Sequence, residues 1–67
     1  MPFDPAKLRA LRARRKLTQE ALAARLELPR EAVARWESGR IAPTLASIER
    51  LAAGLDVPAG RLMEVRK

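Results

Sequence analysis

The dipeptide Leu28-Pro29 interrupts a stretch of helix-favouring residues, and no other feature constrains the fold as much. A residue ahead of proline is driven out of the helical region, so a helix beginning near Thr18 has to end before Leu28. Proline itself suits a first helical turn, where a missing N–H costs nothing, so a second helix is expected from about Pro29 to Glu37. In the first segment Leu22, Ala23 and Leu26 recur at i, i+1 and i+4; in the second, Val33 and Trp36 are three apart. Thr18 has the hydroxyl to cap the first helix. The pattern predicts a helix, a tight turn and a helix across about 18–37, with Ala23, Leu28 and Val33 at the inner corner. A plain αα-hairpin within a small bundle would read the same way.

The flanks extend the pattern. Asp4-Pro5 offers a cap and a first-turn proline for an opening helix, on which Leu8, Leu11 and Arg12 share a side. Arg14-Arg15-Lys16 puts cations in its last turn, where the helix dipole favours them. Ser38-Gly39-Arg40 reads as a stop, Ile41 as an apolar anchor, and Pro43-Thr44 as a new start capped by Thr44. Leu45, Ile48, Leu51, Ala52 and Leu55 form one stripe that ends at Asp56. Pro58 begins a last short helix carrying Leu62 and Val65. The expectation is all-α: five helices in one domain over residues 1–67, with no strand pattern, repeat or linker.

Composition removes several functions. The 67 residues include neither cysteine nor histidine. Disulfides, thiolate or imidazole metal sites and imidazole catalysis are therefore out of reach. Eight carboxylates are the only candidate acids and bases, and none pairs with another on a plausible pocket. No catalysis, metal, cofactor or small-molecule substrate is expected. No apolar run reaches membrane-span length and no secretory signal opens the chain, so a cytoplasmic location is expected. Fourteen basic against eight acidic residues give a net charge of +6, the footprint of a polyanion binder. Eleven of those cations are arginine, suited to bidentate contact with phosphates and guanine edges. Compositional bias and solvated basic faces also produce such numbers.

Taken together, Leu11-Arg12, Leu17-Thr18-Gln19, Leu22-Ala23, Leu26, Val33, Trp36-Glu37-Ser38-Gly39, Pro43-Thr44-Leu45, Ile48 and Leu51 resemble the lambda-repressor/Cro-like helix-turn-helix family. The resemblance runs from about Leu8 to Leu62. It implies that the helix from about Pro29 to Glu37 lies in the DNA major groove. Arg30, Glu31, Ala32 and Arg35 would then face bases. Thr18, Gln19, Arg40 and the helix start at Thr44 would meet phosphates. It also implies a partly buried ion pair between Arg12 and Glu37. Glu31 has two readings, as an acceptor from a cytosine amino group or as a favourable charge at a helix N-terminus. Trp36 is expected in the core. The chain departs from the family at Lys16, Glu27 and Asp56, which stand where glycine is common. A left-handed backbone there costs about 1–2 kcal/mol per residue. Pro29 and Ala32 likewise replace polar residues that the family often uses.

The implied function is sequence-specific binding of double-stranded DNA by a transcriptional regulator, as a homodimer on a pseudo-palindromic operator. The C-terminal residues Leu55, Val57, Leu62, Met63 and Val65 are either core or the dimer seam, with the seam favoured. Two other functions fit the same fold: an antitoxin or protein-interaction module, and an RNA-binding or bridging co-activator. The steep salt dependence of DNA binding separates the first from a DNA binder, and a preference for RNA over duplex DNA separates the second.

Overall fold

The caps form where the local sequence signals them. In the computed structural model of the chain, which describes residues 2–64, helix α1 spans Pro5–Arg14, α2 Gln19–Arg25, α3 Arg30–Ser38 and α4 Leu45–Leu55. The Asp4 carboxylate accepts from the Ala6 N–H at 3.0 Å, Thr18 Oγ1 from Ala21 at 2.9 Å, and Thr44 Oγ1 from Ser47 at 3.1 Å. Each satisfies a donor that the first turn would otherwise leave open. Pro29 sits one position earlier than expected, capping α3 in extended backbone rather than opening the helix.

Helix endings follow a second rule. Lys16, Glu27 and Asp56 all adopt left-handed backbone, at φ 57°, 58° and 59°. After each, the next N–H reaches back to close the helix: Leu17 to the Arg12 carbonyl, Leu28 to Ala23 and Val57 to Ala52. These are Schellman closures, and each delivers a hydrophobic residue to the core just past the turn. Leu17, Leu28 and Val57 are half-buried against the core. Only α3 ends on glycine, with Gly39 at φ 80°.

Leu8, Leu22, Leu51, Leu55, Leu62 and Val33 are fully buried, and Leu11, Ala23, Leu26, Trp36, Ile48, Ala52 and Met63 complete the core. Gly54 is the point at which α4 lies against Leu26 with little room for a side chain. A Cβ there would stand 3.1 Å from a Leu26 methyl carbon.

Three expectations change here. The fifth helix is a single 3-10 turn, Ala59–Leu62, because so short a segment, with Gly60 inside it, does not nucleate an α-helix. Val65 lies outside the described residues. The C-terminal cluster is not a free seam: Leu55, Leu62 and Met63 are buried in the chain's own core, and Val57 is half-buried. An antiparallel bridge between Phe3 and Met63 holds them there, with the Asp4 N–H donating to Leu62 at 2.9 Å and that of Glu64 to Pro2 at 3.0 Å. Ile41 and Leu45 are the reverse case, 53% and 62% exposed. Side chains lean toward a helix's N-terminus, so Leu45 at the first position of α4 points past the helix end rather than onto the core.

Relieving the left-handed strain should stabilise the domain. Lys16 and Glu27 are exposed, so replacing them removes little packing. Lys16→Gly and Glu27→Gly combined should add about 1 kcal/mol after the entropy cost of glycine, and raise the melting temperature by roughly 4–8 °C. A melting temperature that stays put or falls in thermal denaturation would show that these closures carry no strain.

Candidate nucleic-acid interface

Helix α3 presents two faces. Val33, Trp36 and Glu37 are buried at i, i+3 and i+4, and Arg30, Glu31 and Arg35 are exposed on the other side. Ala32, expected on the outward face, is half-buried and packs against the core because it lies one turn before Trp36.

The inner face is organised by Glu37, which is 3% exposed. Arg12 of α1 meets its carboxylate with two prongs, Nε to Oε2 at 2.5 Å and Nη2 to Oε1 at 3.2 Å. Gln19, at the first position of α2, donates from Nε2 to Oε1 at 3.0 Å. The third Arg12 nitrogen donates to the Leu17 carbonyl at 2.7 Å. Arg9, a turn earlier on α1, donates to the Glu37 backbone carbonyl and so caps the end of α3. No buried side-chain nitrogen or oxygen among the described residues lacks a partner.

The family resemblance implies a phosphate contact for Gln19, which also has this inward role. Its amide oxygen accepts from Arg30 at 3.4 Å, so a continuous chain runs from Arg12 through Glu37 and Gln19 to the exposed Arg30. Arg30 also lies 3.9 Å from Glu31, which leaves both readings of Glu31 open. Its position, one residue past the first of α3, suits the positive end of the dipole. The inward hydrogen bond of Gln19 had no signature in the sequence: its partner is 18 residues away and is found only by the packing of α2 on α3.

Around this face lie the remaining expected contacts. Thr18 and Thr44 are exposed, each with its hydroxyl capping a helix. Arg35, Arg40 and Ile41 line one shallow depression at the end of α3. The free arginines are fewer than the net charge suggests. Arg9, Arg12, Arg15, Arg25 and Arg50 all donate to backbone carbonyls, most of them at helix C-termini. That uses five of eleven arginines; of the others, Arg30, Arg35 and Arg40 are grouped about α3.

The helix-turn-helix family model matches residues 8–62. The chain belongs to the lambda-repressor/Cro-like helix-turn-helix family. Solved structures agree. A hypothetical transcription factor from Neisseria superposes with a TM-score of 0.85 at 33% identity, over 90% of this chain and 69% of that one. The restriction-modification controller protein C.AhdI of Aeromonas hydrophila superposes at 0.84 with 36% identity, over 88% of this chain and 86% of that one. The iron(II) HppE enzyme, solved with its substrate, contains a similar fold at 0.83 and 33% identity, but the match covers only 35% of its length. No curated protein matches the sequence. Family and neighbours support a DNA-binding transcription regulator, built without a helix long and apolar enough to cross a membrane among the described residues.

The geometry of the Arg12–Glu37 pair makes the two deletions unequal. Arg12→Met strands a buried carboxylate with Gln19 as its one remaining side-chain donor, whereas Glu37→Met leaves a cation that is 21% exposed and still bonded to Leu17. Arg12→Met should therefore cost about 3–5 kcal/mol, and Glu37→Met about 1–3 kcal/mol. The double variant should lose less than the sum. Additive losses in urea denaturation would mean that the two residues are energetically independent.

Proposed function

We propose that this domain binds duplex DNA sequence-specifically as a transcriptional regulator, with α3 in the major groove. Arg30 and Arg35 read base edges there, and Glu31 is placed to accept from a cytosine amino group. Thr18, Gln19, Arg40 and the start of α4 at Thr44 hold the flanking phosphates. The observation that carries this reading is the division of α3: an outward face with two exposed arginines, on a helix clamped to α1 and α2 through Glu37. Such a helix meets DNA with its arginines already oriented, which reduces the ordering cost of binding.

Binding should fall steeply with salt through counterion release. Arg40→Ala should weaken all duplexes alike, because phosphates carry no base identity. Arg35→Ala should cost about 1–3 kcal/mol and relax preference at one base position. The check is selection of bound duplexes from a random pool, followed by titration of the selected and a scrambled site. Equal weakening of both sites by Arg35→Ala would remove its base-reading role.

The reading includes a homodimer on a pseudo-palindrome, since one short helix reads too few base pairs for a genome. A two-fold pair would place its recognition helices about 34 Å apart. Ile41 and Leu45, the large hydrophobics that stay exposed among the described residues, are the surface for the second copy, on the connection between the C-terminal end of α3 and the start of α4. Two side chains make a small seam, well under the roughly 800 Å² per partner of a stable interface, so pairing is completed on DNA. Leu45→Ser, which removes the apolar contact without placing a negative charge beside the phosphate-facing start of α4, should abolish cooperative occupation of a palindromic site in a gel-shift titration while leaving single half-site binding in place. Undiminished cooperativity would exclude this seam.

A further inference from the structure

On the flank of α1 turned away from α3 lies a groove of about 250 Å³, walled by Lys7, Ala10, Leu11 and Arg14 of α1 and by Arg61 of the 3-10 turn. Helical spacing separates the two flanks. Arg9 and Arg12 reach across to Glu37, while Lys7, Ala10 and Arg14 fall at i, i+3 and i+7 on the other side of the Leu8–Leu11 stripe. A DNA duplex seated on α3 does not use this surface.

The groove has an apolar floor and a cationic rim. Ala10 and the edge of Leu11 form the floor, widened by the methylene stems of the long side chains. The rim carries Lys7, Arg14 and Arg61. Lys7 Nζ is fixed by donating to the Met63 carbonyl at 2.7 Å. Among the described residues, the two ion pairs lie elsewhere, at Arg12–Glu37 and Arg30–Glu31, and neither the Arg14 nor the Arg61 side chain makes a hydrogen bond. Among the described residues, the other arginines outside the α3 face donate to backbone carbonyls, so these two stand apart. A second copy of the chain is a poor occupant, because each copy brings a net charge of +6.

We propose that this groove docks an acidic amphipathic helix of a partner protein. Lys7 and Arg14 are seven residues apart, about 10.5 Å along the axis of α1. A partner helix with carboxylates at i and i+7 and leucine between them, at i+3 or i+4, would meet both cations and lay its leucine on Ala10 and Leu11. Its edge would face Arg61. This is a helix-in-groove contact whose charges set register and whose apolar residue supplies the burial. It would let the domain hold a protein partner while its α3 face is on DNA.

The test uses a fluorescein-labelled, helix-forming peptide with that Glu-Leu-Glu spacing, titrated with the whole chain and followed by anisotropy. Saturable binding is expected. Changing the peptide leucine to serine, or scrambling its order at constant charge, should weaken binding at least tenfold. Arg14→Gln with Arg61→Gln should do the same, with an unaltered melting curve and duplex affinity within twofold of the parent. If the double variant does not fold, Ala10→Lys, which fills the floor and keeps the basic charge, serves in its place. Equal binding of the scrambled and designed peptides would overturn the proposal by reducing it to charge attraction. So would a loss of duplex affinity matching the loss of peptide affinity, which would make the groove a phosphate-binding surface.

Discussion

One buried carboxylate sets the geometry of this small domain. A chain of 67 residues removes only about 60% of its unfolded surface from water, and its hydrophobic contacts are non-directional. They can hold three helices together without deciding the angle of the third. Glu37 decides it, because hydrogen bonds are directional. Arg12 enters from α1 and Gln19 from α2, and Arg9 holds the carbonyl of the same residue. Each donor comes from a different place on the bundle, so α3 cannot roll or slide without breaking at least one. The stance of Arg30 and Arg35 is therefore inherited from a polar site on the far side of their own helix.

Helix endings are the second constraint. Three of the four α-helices end in left-handed residues that carry a Cβ, an arrangement that a domain with a thin core can sustain only if something outweighs the strain. Two contributions do so. The closing turn drops Leu17, Leu28 or Val57 onto the core, each worth about 1.5–3 kcal/mol if fully buried and less when half-buried. Arginines also satisfy the open carbonyls: Arg50 serves the end of α2 at Leu26, and Arg15 and Arg25 the end of α4 at Leu55, Asp56 and Gly54. A cation at a helix C-terminus is further favoured by the dipole. Much of the basic composition thus has an internal use.

What could be read from the sequence divides along the same physical line. The caps at Asp4, Thr18 and Thr44 were legible, since each acts on an atom within a few residues of itself; the left-handed closures at Lys16, Glu27 and Asp56 were marked only by the family resemblance, which places glycine there. The buried stripe of α4 was legible from Ile48 onward, because helical period alone defines a face. Its extrapolation to Leu45 failed, since a face continues only as far as there is something to cover it. The C-terminus was misjudged for the converse reason. An apolar surplus looks like an interface until a non-local contact, here the Phe3–Met63 bridge, folds it inward. For the candidate site, the outward positions of Arg30, Glu31, Ala32 and Arg35 came from the family resemblance; Arg30, Glu31 and Arg35 are exposed, whereas Ala32 is half-buried against the core. The inner hydrogen bond of Gln19 and the carbonyl bond of Arg9 were invisible, being set by the distance between helices that lie far apart in sequence.

Arginine shows why a charge count is a weak guide to a binding surface. The same side chain closes helices at Arg15 and Arg50, clamps a recognition helix at Arg12, and stands free at Arg35, Arg40, Arg14 and Arg61. What separates these roles is the neighbouring acceptor. A guanidinium within reach of an open helix carbonyl or a buried carboxylate is spent on it, because leaving those acceptors unpaired costs more than a solvated cation gains. Arginines with no such acceptor in reach keep their donors for another molecule. Applied residue by residue, that criterion leaves two clusters rather than one diffuse basic shell. One surrounds the outer face of α3, and the other rims the groove beside α1. They lie on different sides of the Arg12–Glu37 clamp, so each can be altered by mutation without disturbing the interaction that holds the domain together.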